Sequence, residues 1–524
     1  MRTKKELGDY QTPLTLIQQI LERLEYDGSR WPRVLEPTCG IGNFIEALLQ
    51  VATPPQEIVG VEIQPAYVMQ AVKLTPRAHH RGVRLGILGA DVFQLSLPVD
   101  IQWQSQGRLL VIGNPPWATN SMLSMLGSSN LPAKSNFKNQ RGIDAITGGS
   151  NFDIAEFIIL KMIAEFIDQD TTIAMLCKTS VARNVLKYSH QNSLPIQSIM
   201  YRIDAKKWFG AAVDACLLRM DINKNAGHHD YHMAIYDSLS APHPSRSTGF
   251  VNGLLVSDIE KYQSLAFVDG KSPIQWRSGV KHDSATVLEL SFRSEAWYNT
   301  LGEKVSVEEE YIYPLIKGTS IYAGNLTGRQ GIILTQMRPG EDTDHLKQDA
   351  PKLWRYLLKH REVFEKRKSS IYKNKPIFSI FGVGDYSFAP YKILVSALNK
   401  KPVFRLAGPI NGRPVICDDT SYLLPFDSLA DAMFAQAVLN HPLTLSFISS
   451  LAFPDSKRVL TSSLLNRIDL RALIDYLPDT RDEIISSLPE QARYQPSVLF
   501  DLTQIPDLAS QSTTPSSLPP TAAG

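Results

Sequence analysis

Over the first 222 residues, apolar runs of four to eight residues alternate with longer stretches of helical period. Such alternation predicts an α/β fold with a mainly parallel sheet. Leu14, Ile17, Ile20, Leu21 and Leu24 recur at the spacing of one helix face. Just before them, Thr12 reads as an N-cap and Pro13 as the first helical residue. Val34-Leu35, Ile58–Val61, Leu88–Ala90 and Leu109–Ile112 read as buried strands. Asp153–Asp168 predicts an apolar helix packed on the sheet, while Thr171–Lys178, Ile196–Ile203 and Ala215–Met220 predict further strands.

The polar residues that end these strands carry the chemistry. Glu36-Pro37-Thr38-Cys39-Gly40-Ile41-Gly42-Asn43-Phe44 follows the first strand. Its glycines let a ligand approach the backbone, and the helix behind them offers free N–H groups. Glu62 closes the next strand, about 20 residues past the glycine turn, where nucleotide-type sites place a ribose-hydroxyl acceptor. Asp91 and Phe93 follow the third strand, and Asn114-Pro115-Pro116-Trp117 follows the fourth. The two prolines stop that strand, because neither can donate to a ladder. Any one of these features has a bland reading: a capped helix, a solvated acid, a turn, a core tryptophan. Glu36, Glu62, Asp91 and Asn114 in register along one sheet edge make the bland readings collectively a poor account.

In their order, the segments Gly8–Pro13, Glu36–Phe44, Glu62, Asp91–Phe93 and Asn114–Trp117 resemble the motifs of gamma-class S-adenosylmethionine-dependent DNA adenine-N6 methyltransferases. These are modification enzymes of type II restriction-modification systems. The resemblance implies a Rossmann-like methyltransferase sheet with helices on both faces, followed by a C-terminal mixed α/β target-recognition domain. It implies that Asn114, Pro115, Trp117 and Phe209 serve the flipped adenine, with Trp208 the near alternative to Phe209 and a plain core aromatic close behind. It implies that S-adenosyl-L-methionine is held by Thr12, Pro13, Glu36, Thr38, Cys39, Gly40, Gly42, Phe44, Glu62, Asp91, Phe93, Asn114 and Pro116. Double-stranded DNA is the expected partner, together with a separately encoded restriction endonuclease, and a monomer is expected. The same Asn-Pro-Pro-aromatic motif serves methyltransferases of RNA and of protein glutamine, which is the second enzymatic reading. A non-catalytic DNA-binding subunit is a third, disfavoured because Asn114 and the glycines are intact. Cytosine-C5 methylation needs a cysteine after proline, and none of the four cysteines follows one.

Composition then bounds the whole. A chain of 524 residues, 43% hydrophobic and 20% charged, is that of an ordinary globular protein of two or more domains. With a net charge of +2, a polyanion must be met by local basic patches. Four dispersed cysteines without a Cys-x-x-Cys pair argue against zinc ribbons and disulfides, no metal is expected, and a cytoplasmic location follows. The expected domains are 1–224 for catalysis, 225–250 as a linker rich in Asn, Gly, His, Pro and Ser, 251–502 for target recognition, and 503–524 as a disordered tail. Two regions are candidate DNA contacts. One is the polar loop 118–152 with Lys134, Lys138 and Arg141; the other is the stretch 352–375, with nine Lys/Arg against two acids and including Lys366, Arg367 and Lys368. The competing reading of the second is a solvated helix face.

Overall fold

The computed structural model describes residues 11–117, 153–223, 230–472, 475 and 478–490. The chain divides into two compact units, Met1–Gln263 and Ser264–Gly524.

The first unit is built on a ten-stranded sheet. Its strands are β1 (Arg33–Glu36), β2 (Glu57–Glu62), β3 (Arg84–Gly89), β4 (Leu109–Gly113), β5 (Thr171–Lys178), β6 (Ile196–Ile203), β7 (Ala215–Ile222), β8 (His232–Tyr236), β9 (Arg246–Val251) and β10 (Leu254–Val256). The order is β10-β9-β8-β6-β7-β5-β4-β1-β2-β3. Strands β1 to β5 are mutually parallel, and β7 runs antiparallel between β5 and β6. All five residues of β4 and all six of β2 are buried, as expected of strands covered on both faces. Helix α1 (Leu14–Arg23) buries Leu16, Ile17, Ile20 and Leu21. Helix α2 (Asn43–Leu48) follows β1, and α3 (Ile154–Phe166) precedes β5. Helix α3 is buried nearly all round, which matches its unbroken apolar sequence. Lys161 within it is tolerated because its Nζ donates to Leu95 O at 2.7 Å and pairs with Glu165.

Two sequence expectations are corrected here. Thr12 does not cap α1: Pro13 occupies the N-cap position with extended backbone (φ −61°, ψ 140°), and the helix begins at Leu14. Pro13 O accepts from the Leu16 and Ile17 amides, which leaves the Thr12 hydroxyl for another partner. The expected linker 225–250 contains β8 and most of β9, both paired into the sheet. Met233 and Ile235 bury one side of β8, and Asn252-Gly253, with φ of 49° and 77°, turns β9 into β10. Asn-Gly between extended residues is a hairpin signal. The polar composition between residues 237 and 245 masked strands whose alternation is short.

The second unit contains a six-stranded sheet and a four-stranded sheet, both largely antiparallel. The larger sheet places Glu289–Arg293 between Ala296–Asn299 and Gln330–Ile333. The helix Pro351–Lys359 buries Leu353 and Leu357 in the core that includes Ile332 and Phe378. Helices Leu429–Asn440 and Pro442–Leu451 add a further apolar layer, giving the mixed α/β composition expected of this region.

Candidate active site

In the first unit the chain leaves β1 toward β2 on one side, while β4 returns on the other. Such a reversal opens a crevice at the carboxyl ends of the two central strands. The segments following β1, β2, β3 and β4 line one cavity there, and Gln11, Thr12 and α3 residues Ile154 and Ile158 complete its wall.

Gly40 and Gly42 lie at positive φ, 54° and 91°, so the turn after β1 has a shape that side chains resist. A Cβ on Gly42 would stand 2.8 Å from Leu74 Cδ1. The Glu62 carboxylate fastens this turn across two strands. Its Oε2 accepts from the Gly40 amide at 2.9 Å and its Oε1 from the Gln64 amide at 2.7 Å. Beneath the turn, Glu36 is 2% exposed, and its Oε2 has no hydrogen-bond partner among the described residues. Burial, reinforced by the nearby Glu62 charge, pushes the Glu36 carboxyl well above the usual range. The buried Thr38 hydroxyl also lacks a partner among the described residues. Leaving such groups unmatched typically costs about 1–3 kcal/mol each. Their concentration in one cavity wall is therefore informative. Burial likewise raises the Cys39 thiol, which makes it an inert wall rather than a nucleophile.

The end of β4 is tied to the chain's beginning. Asn114 Nδ2 donates to Thr12 Oγ1 at 3.2 Å, and Asn43 Nδ2 donates to Thr12 O at 2.9 Å. Thr12 thus joins the glycine turn to the Asn-Pro-Pro segment, the use to which its hydroxyl is put instead of capping. Trp117 is 6% exposed; its indole N–H donates to Leu176 O at 3.3 Å and its ring meets Phe209 edge-on, centroids 5.1 Å apart. Lys178 Nζ donates to Trp117 O at 3.4 Å and to Asp153 Oδ2 at 2.7 Å, while Asp153 Oδ1 accepts from the Ala155 amide and caps α3. The Asp91 carboxylate accepts from the Phe93 amide at 3.0 Å, and Phe93 packs edge-on against Phe157.

Of the expected residues, Thr12, Glu36, Thr38, Cys39, Gly40, Phe44, Glu62, Asp91, Phe93, Asn114 and Pro116 line the cavity. Pro13, Gly42, Pro115, Trp117 and Phe209 lie outside its lining. Pro13 serves the helix end, Gly42 packs on Leu74, and Trp117 belongs to the hydrophobic core. Gln11, Asn43, Gln64, Tyr67, Ile154 and Ile158 line the cavity without having been singled out. Their signal was adjacency: Gln11 precedes Thr12, Asn43 follows Gly42, and Gln64 follows Glu62. Nothing local marks Ile154 and Ile158.

The candidate DNA contacts fare differently. Lys134, Lys138 and Arg141 lie outside the described residues. Arg367 is half-buried and donates to Ser379 O at 2.7 Å, Ile377 O at 2.6 Å, Phe364 O at 3.1 Å and His282 O at 3.2 Å, with its guanidinium 3.7 Å from the Tyr372 ring centroid. That bears against its expected role: a guanidinium spent on four carbonyls holds the fold and has little left for phosphate. Lys366 and Lys368 are exposed, Lys366 pairing with Glu362 at 3.1 Å. Among the described residues, no group of His, Cys, Asp or Glu is placed to hold a metal, and no helix is long and apolar enough to cross a membrane.

No known protein-family model matches the chain. It is similar to the type II methyltransferase M.NspV of Nostoc sp., 42% identical over 481 residues, which cover 90% of this chain and 98% of that protein. Its fold is similar to that of the type IIL restriction-modification enzyme MmeI, solved in complex with DNA, with 12% identity, a TM-score of 0.53, and coverage of 94% of this chain and 71% of the other. At 42% identity over 90% of its length and 98% of that relative's, the chain belongs to the type II methyltransferases.

Proposed function

We propose that this chain transfers a methyl group from S-adenosyl-L-methionine to the exocyclic N6 of an adenine flipped out of duplex DNA. The observation that carries the reading is the Asn114 amide, held by Thr12 Oγ1 in the wall of the cavity that also contains Glu36, Glu62 and Asp91.

The cavity suits the cofactor. Glu62 holds the glycine turn through both oxygens, and its carboxylate is assigned to the ribose hydroxyls. Asp91 is assigned to the adenine amino group, with Phe93 and Pro116 flanking that ring. The unmatched Glu36 and Thr38 oxygens face the methionine part, together with Thr12 and Gly40. The bound cofactor supplies an electrophilic methyl group on a sulfonium. The protein's task is to aim the amine. Adenine N6 is a weak nucleophile because its lone pair is delocalised into the ring. The Asn114 side-chain oxygen and the Pro115 main-chain oxygen accept its two N–H bonds, which grow stronger as positive charge develops on nitrogen. Transfer is direct, so positioning the two reactants supplies much of the rate. The partly buried Phe209 is assigned to the extruded base, which cannot be reached inside the duplex, with the core residue Trp117 packed edge-on against it.

Lys366 and Lys368 are assigned to phosphate, a role that positions without reading sequence. The enzyme acts as a cytoplasmic monomer, in the gamma-class arrangement, with a separate endonuclease of the same specificity. The test is to incubate the full chain with methyl-labelled cofactor and duplex DNA, then digest to nucleosides. Label in N6-methyladenine is expected. Label in a methylated cytosine, or transfer to RNA but not to DNA, overturns the assignment.

A further inference from the structure

A second cavity lies wholly within the second unit, between the tips of two β-hairpins. One hairpin joins Glu289–Arg293 to Ala296–Asn299 through Ser294 and Glu295, whose φ values are 48° and 59°. The other is the turn Ile410–Arg413, closed by two backbone hydrogen bonds of 2.9 and 3.0 Å, with Asn411 and Gly412 at φ 51° and 74°. Positive φ at both central residues gives the tight turns of two-residue hairpins. Ser294-Glu295 adopts it without a glycine, which costs about 1–3 kcal/mol per residue and makes the tip a built feature. Tips of this width fit the major groove of a duplex, which admits a two-stranded ribbon.

The cavity's walls are rigid and its rim is left open. Phe292 and Trp297 meet edge-on at 5.1 Å, and the Trp297 ring lies so close to Gly331 that a Cβ there would stand 2.8 Å from it. Arg413 is anchored, with Nη1 donating to Ile312 O at 2.7 Å and its guanidinium 5.3 Å from the Tyr313 ring centroid. By contrast, Arg329 and Asn411 are exposed, and their side chains have no hydrogen-bond or ion-pair partner among the described residues. Phe292 is 52% exposed and so offers an aromatic face beside them. Arginine presents a fork that matches guanine O6 and N7, and asparagine one that matches adenine N6 and N7. The lining carries Arg329 and Arg413 against the single acid Glu309, a positive balance suited to a polyanion.

We infer that this cleft is where the protein reads base edges in the major groove, with Arg329 and Asn411 as specificity-determining residues. The inference rests on the reading of duplex DNA as substrate, and assigns the sequence-reading contacts to the hairpin tips rather than to the basic stretch 352–375. The experiment selects binding sites from randomised duplexes with the full chain, without cofactor. Wild type is compared with Asn411→Ala, Arg329→Ala and Arg329→Lys, and methyl transfer to the selected duplexes is assayed separately. Each alanine variant is expected to lose preference at one base pair, by roughly 5- to 150-fold, while the rest of the selected site stays the same. Arg329→Lys should keep the salt dependence of binding yet lose that preference, because lysine is a point charge without the fork. An unchanged selected site overturns the inference, as does a uniform loss of affinity for all duplexes, which marks phosphate contacts. A variant that changes self-association and not base preference overturns it too, assigning the cleft to a protein partner. If wild type selects a site but transfers no methyl group, the catalytic reading fails while the cleft is still judged on the selected site.

Discussion

The cavity of the first unit and the basic stretch 352–375 of the second are both rich in polar groups, and they use them oppositely. Around the cavity, Glu36 Oε2 and the Thr38 hydroxyl are buried and unmatched among the described residues. Along the basic stretch, several of the cationic groups are already matched. Lys359 pairs with Glu303, Arg361 with Glu365 and Lys366 with Glu362, and Arg367 fills four backbone carbonyls. The charge run is the more conspicuous of the two in the sequence. Unused hydrogen-bonding capacity, rather than residue type, separates a ligand site from a scaffold. An unmatched buried group lowers stability until something binds it, whereas a matched one has its energy already committed to the fold.

The comparison is broken most directly at Asn114. Asn114→Ala is expected to lower the rate of methyl transfer by on the order of 10²–10³, with cofactor binding nearly unchanged. Near-normal turnover by this variant, measured with labelled cofactor, would remove Asn114 from the chemistry.

Arg367→Ala probes the other side. It strands four carbonyls in a half-buried setting, so a stability loss of about 2–3 kcal/mol is expected. The salt dependence of DNA binding should not change. A lower urea midpoint at constant slope supports the structural role; a flatter salt dependence with unchanged stability makes Arg367 a phosphate contact after all.

Glu36 offers a test by pH. An unfolded glutamate ionises near 4.5, whereas the folded one holds its proton to well above that. The folded state then binds more protons than the unfolded state above pH 4.5, so stability falls as pH rises from there toward the folded value. Glu36→Gln should flatten that fall in the cofactor-free protein, and saturating S-adenosylmethionine should change the wild-type slope more than the variant's. Identical pH profiles of urea midpoints for the two proteins would show that Glu36 is matched in solution.

The smallest effect is expected from Lys366→Ala with Lys368→Ala. Their exposure confines the stability change to about ±0.5 kcal/mol. Each true phosphate contact removed should reduce the salt slope of binding by about 0.9. A slope unchanged across a salt series leaves these lysines as plain solvated surface beyond the helix end at Glu365.

Much of the first unit was legible because its signals are local. Thr171–Lys178 falls where its apolar run places it, since a strand covered on both faces needs an unbroken run, and Ile196–Ile203, with Gln197 and Arg202 exposed, falls where its alternation places it. Glu36 and Glu62 end β1 and β2, and Asn114 follows β4 directly, so the sheet edge could be read from strand ends alone. Strands β8 to β10 were missed because His232–Tyr236 and Arg246–Val251 pair over few residues between polar segments. The Asn252-Gly253 turn was the available clue.

The sequence by itself thus determined the order of strands and helices, the polar residues at the strand ends, and the type of chemistry they suit. These depend on periodicity, on the backbone limits of proline and glycine, and on the functional groups present, all of which are properties of short segments. Tertiary structure decided which groups meet and which stay unmatched. It gave the Thr12 hydroxyl to Asn114 instead of to a helix cap, turned Trp117 into the core, and spent Arg367 on carbonyls 10 to 85 residues away. It also brought Phe292 and Asn411 to one cleft across more than a hundred residues. Hydrogen bonding and burial are settled between segments remote in the chain, so no window of sequence contains them.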